Sequence, residues 1–372
     1  MSKNPNLIIK KIEAIPVALP LKKPMHMAGV VIENAYNLIV RVETENGLVG
    51  WGESASAPTM TGDLLPGMVA AVRDYFAPLL VGQDALQHPL LMQRVHQEVY
   101  RNTGAKCAVE CALLDVCGRY LEVPVFDLVG GAKRHQFQMM TLLGSGTCDQ
   151  DLNDALEKQK NGFNFFKIKL GVRPIEEDIA HTINLRKHLG KHAILCADAN
   201  MGLSDIDTIT YCSEVMSEKL LFLEQPLRSN NPSGMAKVAR KISIPICGDE
   251  SITSIEDLMN LSSLGAIEGA NLKIIKLGGI TSVIHAALIC ETIGLSVNLA
   301  CKVAESSIAA ASLLHTGAVL PNLDWGISVT NHYLAEDIVK QPIIASGGQI
   351  ELSRAAGLGV EVDESKIKKF TI

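Results

Sequence analysis

The sequence predicts an α/β protein in two parts, a small α+β domain followed by a closed barrel of parallel strands. Three observations carry that expectation. Residues 7–20 and 35–53 alternate in the manner of strands, whereas 63–80, 88–101 and 104–121 repeat apolar residues at helical spacing. From about residue 137, short apolar runs alternate with helical stretches about eight times, the rhythm of βαβ units, and that number favours closure over an open doubly wound sheet. No GxGxxG follows the first strand, so the fingerprint of a dinucleotide fold is missing.

In chain order, the first domain is expected over 1–132. Its stretch NLIVRVETENGLVGWGE turns back at Glu45-Asn46-Gly47, a favoured hairpin connection. The barrel is expected over 133–330, with strands at 137–143, 164–169, 193–198, 220–224, 244–248, 269–275 and 295–300 and a short last one at 323–326. Residues 331–372 lack this rhythm and are expected to return to the first domain.

Composition narrows the partners. Of 372 residues, 47% are hydrophobic and 20% charged, enough to bury a large core. The 34 basic and 40 acidic residues give a net charge of -6 with no basic block, which argues against nucleic acid and anionic membrane. Lys10, Lys11 and Glu13 interrupt the N-terminal apolar run, so no signal peptide is expected, and no run of 18 uncharged apolar residues occurs. Nine cysteines without a CxxC pair read as reduced thiols, and a soluble, cytoplasmic protein is expected.

In such a barrel, catalytic side chains stand at the C-terminal ends of strands. The segment NFFKIKLG, residues 164–171, places Lys167 and Lys169 on one face of a strand within an apolar run. Later strand ends carry Asp198 and Asn200 in CADAN, Glu224 in FLEQP, Asp249 and Glu250 in ICGDES, and Lys273 in NLKIIK. Asp198, Glu224, Asp249 and Lys273 follow one another at 26, 25 and 24 residues, one βα unit each, so they converge on one rim. Three carboxylates gathered there repel one another unless a cation lies between them, and hard oxygen donors suit magnesium or, alternatively, manganese. A lysine among cations has a lowered pKa and can act as a base near neutral pH. Removing a proton beside a metal-polarised carboxylate gives an enediolate that the cation stabilises. Gly278-Gly279 reads as a tight turn rather than a phosphate cradle, and Lys302 as a solvated loop residue.

In combination, KxK, DxN, EQP, GDES and KxxKxGG, here KIIKLGG, resemble the motifs of the enolase superfamily in its muconate lactonizing enzyme subgroup, over essentially the whole length. The resemblance implies a modified TIM barrel, (β/α)7β, under an N-terminal α+β capping domain whose loops 21–30 and 54–62 set substrate specificity. It implies that Asp198, Glu224 and Asp249 bind the metal, that Lys169 and Lys273 are the acid/base pair, and that Lys167 supports them. The stretch from 102 to 131 is similar to the subgroup's helical segment ahead of the barrel. PMHMAGV around His26 resembles a substrate-covering loop, AESS around Glu305 the seventh-strand loop, and Leu323-Asp324-Trp325-Gly326 the eighth-strand end. His26, Asn200, Glu305 and Trp325 are thereby expected to meet substrate. Two places depart from the pattern: ACK puts Lys302 where small or hydroxyl residues are usual, and ISVTNHYL differs after the eighth strand. The implied activity is that of a metal-dependent isomerase of the muconate-cycloisomerising type, acting on a small-molecule carboxylate and assembled as a homo-oligomer. A racemase or epimerase of an amino-acid derivative or dipeptide, or an acid dehydratase, is the alternative on the same site.

Overall fold

The computed structural model describes residues 6–27, 30–144 and 146–372. It opens with an antiparallel sheet of β1 (Ile9–Met27), β2 (Val30–Thr44) and β3 (Val49–Ala55) in the order β1-β2-β3. β2 and β3 join through Glu45-Asn46-Gly47, and Gly47 has a φ of +84°, which glycine adopts without a Cβ penalty. Helical residues 65–80 follow, then helices His88–Glu98 and Thr103–Leu121. The last of these is buried from Gly104 to Gly118 because it lies almost in contact with β3. A Cβ on Gly52 would stand 1.9 Å from the Ala108 carbonyl oxygen, so the small residues of GWG and of the helix are what allow the approach.

The barrel comprises eight parallel strands. After β4 (Gln136–Gln138) come β5 (Thr141–Leu143), β6 (Phe165–Lys169), β7 (Ile194–Asp198), β8 (Leu223–Glu224), β9 (Ile246–Gly248), β10 (Gly269–Leu272), β11 (Ser296–Ala300) and β12 (Ile327–Ser328). β5 to β12 pair in sequence order, and a parallel bridge between Met139 and Ile327 joins the two ends. The expected βα rhythm is therefore present, with three differences. The run 137–143 splits, because β4 pairs with β13 (Gln349–Glu351) and only β5 enters the barrel. The run 269–275 ends at Leu272, since Lys273 caps a short helix, Ile274–Leu277. The last strand lies at 327–328 rather than 323–326: Gly326 turns at φ +80° and the Trp325 ring stacks on Phe222 with centroids 4.6 Å apart, so Trp325 precedes the strand.

Residues beyond 331 touch both parts of the chain: β13 pairs with β4, and other positions meet the first domain. Leu334 bridges Leu21, Thr371 bridges Val17, and the Ile372 N–H donates to the Pro16 carbonyl at 3.1 Å. Two buried acids of the first domain also reach the barrel. Glu53 on β3 accepts from the N–H groups of Ser306 at 2.9 Å and Ala309 at 3.1 Å, at the start of helix Ser307–Val319. Glu110 reaches the start of helix Ile280–Ile293, where it accepts from Thr281 N–H at 3.4 Å. Exposed helix N–H groups and the positive end of the helix dipole favour both contacts. Among the described residues no helix is long and apolar enough to cross a membrane.

Candidate active site

Alternate residues of the barrel strands point inward, and the inward rows share one order from bottom to top. Phe165, Lys167 and Lys169 on β6, Cys196 and Asp198 on β7, and Phe222 just before β8 with Glu224 on it place an apolar layer below a charged one. Cys247 and Asp249 repeat it at the end of β9. Phe165, Cys196, Phe222 and Cys247 pack with Met140 and Trp325 in one cluster. Above it, Lys167, Lys169, Asp198, Glu224 and Lys273 line a cavity of about 380 Å³.

Strand register fixes who meets whom. Lys169 is the strand partner of Asp198, and Asp198 that of Glu224. Lys167 Nζ donates to Glu224 Oε2 at 2.5 Å, Lys169 Nζ to Asp198 Oδ2 at 2.6 Å and also to Asn200 Oδ1, and Lys273 Nζ to Asp249 Oδ2 at 2.5 Å. The three carboxylates are at most 3% exposed.

These pairs set the charges. Burial would raise the Asp198 and Asp249 carboxyls, but Lys169 and Lys167 beside the first, and Lys273 and Lys276 beside the second, hold both below the usual range. Glu224 stands on the strand between them. Its carboxyl is pushed up by burial and then by Asp198, with Asp249 adding to the effect and the lysines relieving only part of it. Burial likewise works against the Lys167 and Lys273 ammoniums, yet the facing carboxylates outweigh it and raise both. A lowered lysine pKa, expected from the sequence, is therefore not found for these two. In this arrangement each ammonium faces an acid rather than another cation.

Three hard oxygen donors on adjacent strand ends, one of them under repulsion from the other two, fit a divalent cation. In their present orientations no three acidic, histidine or cysteine side chains among the described residues converge on one point. Each of the three carboxylates faces a lysine instead.

Several supporting residues carried no role in the sequence. Lys276, fully buried, donates to Asp249 Oδ1 at 2.7 Å and to the carbonyls of Asp249 and Asn271. Asn271 Nδ2 holds Glu224 Oε1 at 2.7 Å. Gln225 accepts from the N–H groups of Asp249 at 2.9 Å and Ser251 at 3.1 Å, shaping the GDES turn. Their signal was present as the second lysine of KIIK, the asparagine of NLK and the glutamine of EQP. Glu250 lines the cavity with one partnerless buried oxygen, and burial, Asp249 and Asp198 push its carboxyl up to about 7.

The residues expected at the substrate fall in different places. Asn200 lines the cavity and bridges Lys169 to Glu250 Oε1, the latter at 3.0 Å. Glu305 lies behind the wall: its oxygens accept from Lys302 N–H at 2.9 Å and Ala55 N–H at 3.4 Å. Trp325 belongs to the apolar layer below the charges. The side chain of His26, and residues 28 and 29 of the loop 21–30, lie outside the described residues. In the loop 54–62, Thr59 and Met60 line the cavity, and Met60 Sδ is 3.6 Å from Lys273 Nζ. Lys302 lines the cavity too, although its sequence context reads as a solvated loop. Gly278 and Gly279 do form a turn, and the Glu110 carboxylate fills the space that a Cβ on Gly279 would need.

Known proteins resemble the chain over nearly its whole length. Residues 10–130 match the mandelate racemase / muconate lactonizing enzyme N-terminal domain, and residues 151–366 match the enolase C-terminal domain-like family. Muconate cycloisomerase 1 of Pseudomonas putida is 31% identical, with 98% of this chain and 99% of that protein aligned. Chloromuconate cycloisomerase of Pseudomonas sp. (strain P51) is 30% identical over 97% of this chain and 99% of that one. A muconate lactonizing enzyme from Pseudomonas fluorescens, solved with muconolactone, superposes with a TM-score of 0.94 at 30% identity, over 99% of this chain and 100% of that one.

Proposed function

The chain belongs to the mandelate racemase / muconate lactonizing enzyme family of the enolase superfamily, and from that premise we propose that it is a divalent-metal-dependent cycloisomerase of the muconate type. We divide it into a capping domain, 1–132, a catalytic barrel, 133–330, and a returning segment, 331–372. Its nine cysteines are all free thiols, which supports work in the reducing cytoplasm. The observation that carries the reading is the opposed pair of lysines, Lys169 on Asp198 and Lys273 on Asp249, with Glu224 on the strand between.

Asp198, Glu224 and Asp249 would hold magnesium or, alternatively, manganese. Bound there, the cation would polarise a substrate carboxylate and offset the charge that gathers on it. The remaining work falls to the chain. In a conjugated diacid such as cis,cis-muconate, one carboxylate adds to the alkene carbon β to the other, and the electron pair moves toward that second carboxylate. Lys169 then delivers its proton to the adjacent α carbon, completing an addition in which no atom is lost. Lys167, which faces Glu224 in this structure, contributes positive charge beside Lys169, and Lys273 does so from the far side. Asn200 orients Lys169, and Thr59 and Met60 narrow the mouth against water.

Incubation with cis,cis-muconate and magnesium in deuterated buffer, followed by proton NMR, tests the reading. A lactone carrying one deuterium at the α carbon is expected. The opposed lysines also suit a 1,1-proton transfer. Failure to form lactone, together with α exchange and inversion in an amino-acid derivative, would replace cycloisomerisation by epimerisation.

A further inference from the structure

The loop that follows β11, residues 301–305, is held from several sides. Thr330 Oγ1 donates to the Lys302 carbonyl at 2.6 Å, the Lys302 N–H donates to Glu305 Oε2 at 2.9 Å, and Asn37 Nδ2 donates to the Ala304 carbonyl at 3.2 Å. Ala304 sits at φ +63°, a left-handed conformation that a residue with a Cβ keeps only where its surroundings impose it. A backbone fixed in this way fixes the direction in which Lys302 leaves it.

The Lys302 side chain lines the catalytic cavity. Lys167, Lys169 and Lys273 each hold a carboxylate there, whereas the Lys302 ammonium has no hydrogen-bond or ion-pair partner among the described residues. Glu305, the nearest acid along the chain, is bound to the Lys302 amide instead. Burial lowers the Lys302 pKa; Glu305 offsets part of this, and Lys273, close enough to repel it, adds to it. A partly buried ammonium left without a counter-charge beside another cation is a cost to the folded chain that an incoming anion relieves.

We propose that Lys302 is a specificity-determining residue that takes a second carboxylate of the substrate, so that the site reads a diacid from both ends. One carboxylate lies at Asp198, Glu224 and Asp249, and the other lies at the β11 loop on the Lys273 side. The inference rests on the proposed function only in seating the first carboxylate at that triad. Met60, Met140, Leu142 and Val303 give the cavity apolar wall, which suits a hydrocarbon chain between the two charged ends. A neutral or cationic far end leaves Lys302 unpaired and is rejected for that reason.

Calorimetric titration in magnesium buffer with adipate and monomethyl adipate, neither of which has an alkene to react, isolates this contact. The wild-type protein is expected to bind adipate about ten- to a hundredfold more tightly than the half-ester, the range for one hydrogen bond to a charged group. Lys302→Met is expected to weaken adipate to the level of the half-ester while leaving half-ester binding unchanged, and Lys302→Arg to restore part of the preference. The unchanged half-ester reports that the variant is folded. A preference for the diacid that survives in Lys302→Met overturns the proposal, as does equal weakening of both probes. Absence of any preference in the wild type, including no binding of adipate, overturns it as well. None of these readings depends on turnover, so a failure to lactonise muconate is a separate result.

Discussion

Buried carboxylates occur at the barrel mouth and at the seam between the domains, and they are neutralised in opposite ways. At the mouth, Asp198, Glu224 and Asp249 face ammonium groups on long, rotatable stems. At the seam, Glu53 and Glu110 face backbone N–H groups at helix starts, with no lysine or arginine in ion-pair reach among the described residues. A lysine can swing aside and let a cation or substrate take its place, whereas an amide in a helix cannot. The acidities differ accordingly. Lysines hold Asp198 and Asp249 low, while burial, helped by Glu305, pushes Glu53 up to about 7. Burial alone does not mark a reactive acid; an exchangeable counter-charge does.

The comparison breaks most sharply where the mouth loses an acid. Alanine at Asp198, Glu224 or Asp249 is expected to abolish magnesium-dependent turnover with the fold intact, because two carboxylates coordinate a hard cation poorly. Magnesium calorimetry checks it: a triple variant that binds as tightly as wild type removes the assignment. Next in size is Lys169→Arg, which keeps the charge and removes the transferable proton. A fall in turnover of about 10²–10⁴-fold is expected, against partial retention in Lys273→Arg. Equal loss in both variants, with α-deuterium entering opposite enantiomers, would favour the epimerase.

At the seam the expected effect moves from rate to stability. Glu53→Ala strips acceptors from Asn37, Ser306 and Ala309 and is expected to cost about 1–3 kcal/mol per buried donor left unpaired, read by urea unfolding. Lost magnesium affinity with unchanged stability would erase the distinction between the two regions. The smallest expected effect is on pH dependence. Burial, helped by Glu305, pushes the folded Glu53 carboxyl up to about 7, against about 4.3 when unfolded, so between those values the folded chain holds the extra proton. Its contribution to stability therefore falls as pH rises through that window. Glu53→Gln should flatten that part of the stability profile, and an unchanged slope would assign it to other groups.

The mouth was legible because its chemistry has a local signature. Spacing of two within a strand put Lys167 and Lys169 on one face, and spacing of one βα unit aligned Asp198, Glu224, Asp249 and Lys273. The seam had no such signature: Glu53 and Ser306 are 253 residues apart and neither position is part of a repeat. Trp325 was misplaced for a related reason. A strand of two residues, Ile327–Ser328, carries too little periodicity to locate, so the sequence points to the tryptophan as its end where the structure makes it the approach. Glu305 looked like a substrate contact because its loop does reach the cavity. Which side chain of that loop faces inward depends on the left-handed Ala304, and φ cannot be read from AESS.

The apolar layer of Phe165, Cys196, Phe222, Cys247, Met140 and Trp325 makes the barrel a cup rather than a tunnel. With that floor in place, reactant and product are expected to pass on the side of the cavity that Thr59 and Met60 line. A spent molecule therefore blocks the next arrival instead of being pushed out ahead of it. Product inhibition in such a vessel is competitive with substrate, and the traffic on that side, rather than the proton's short journey, is where a faster variant would be found.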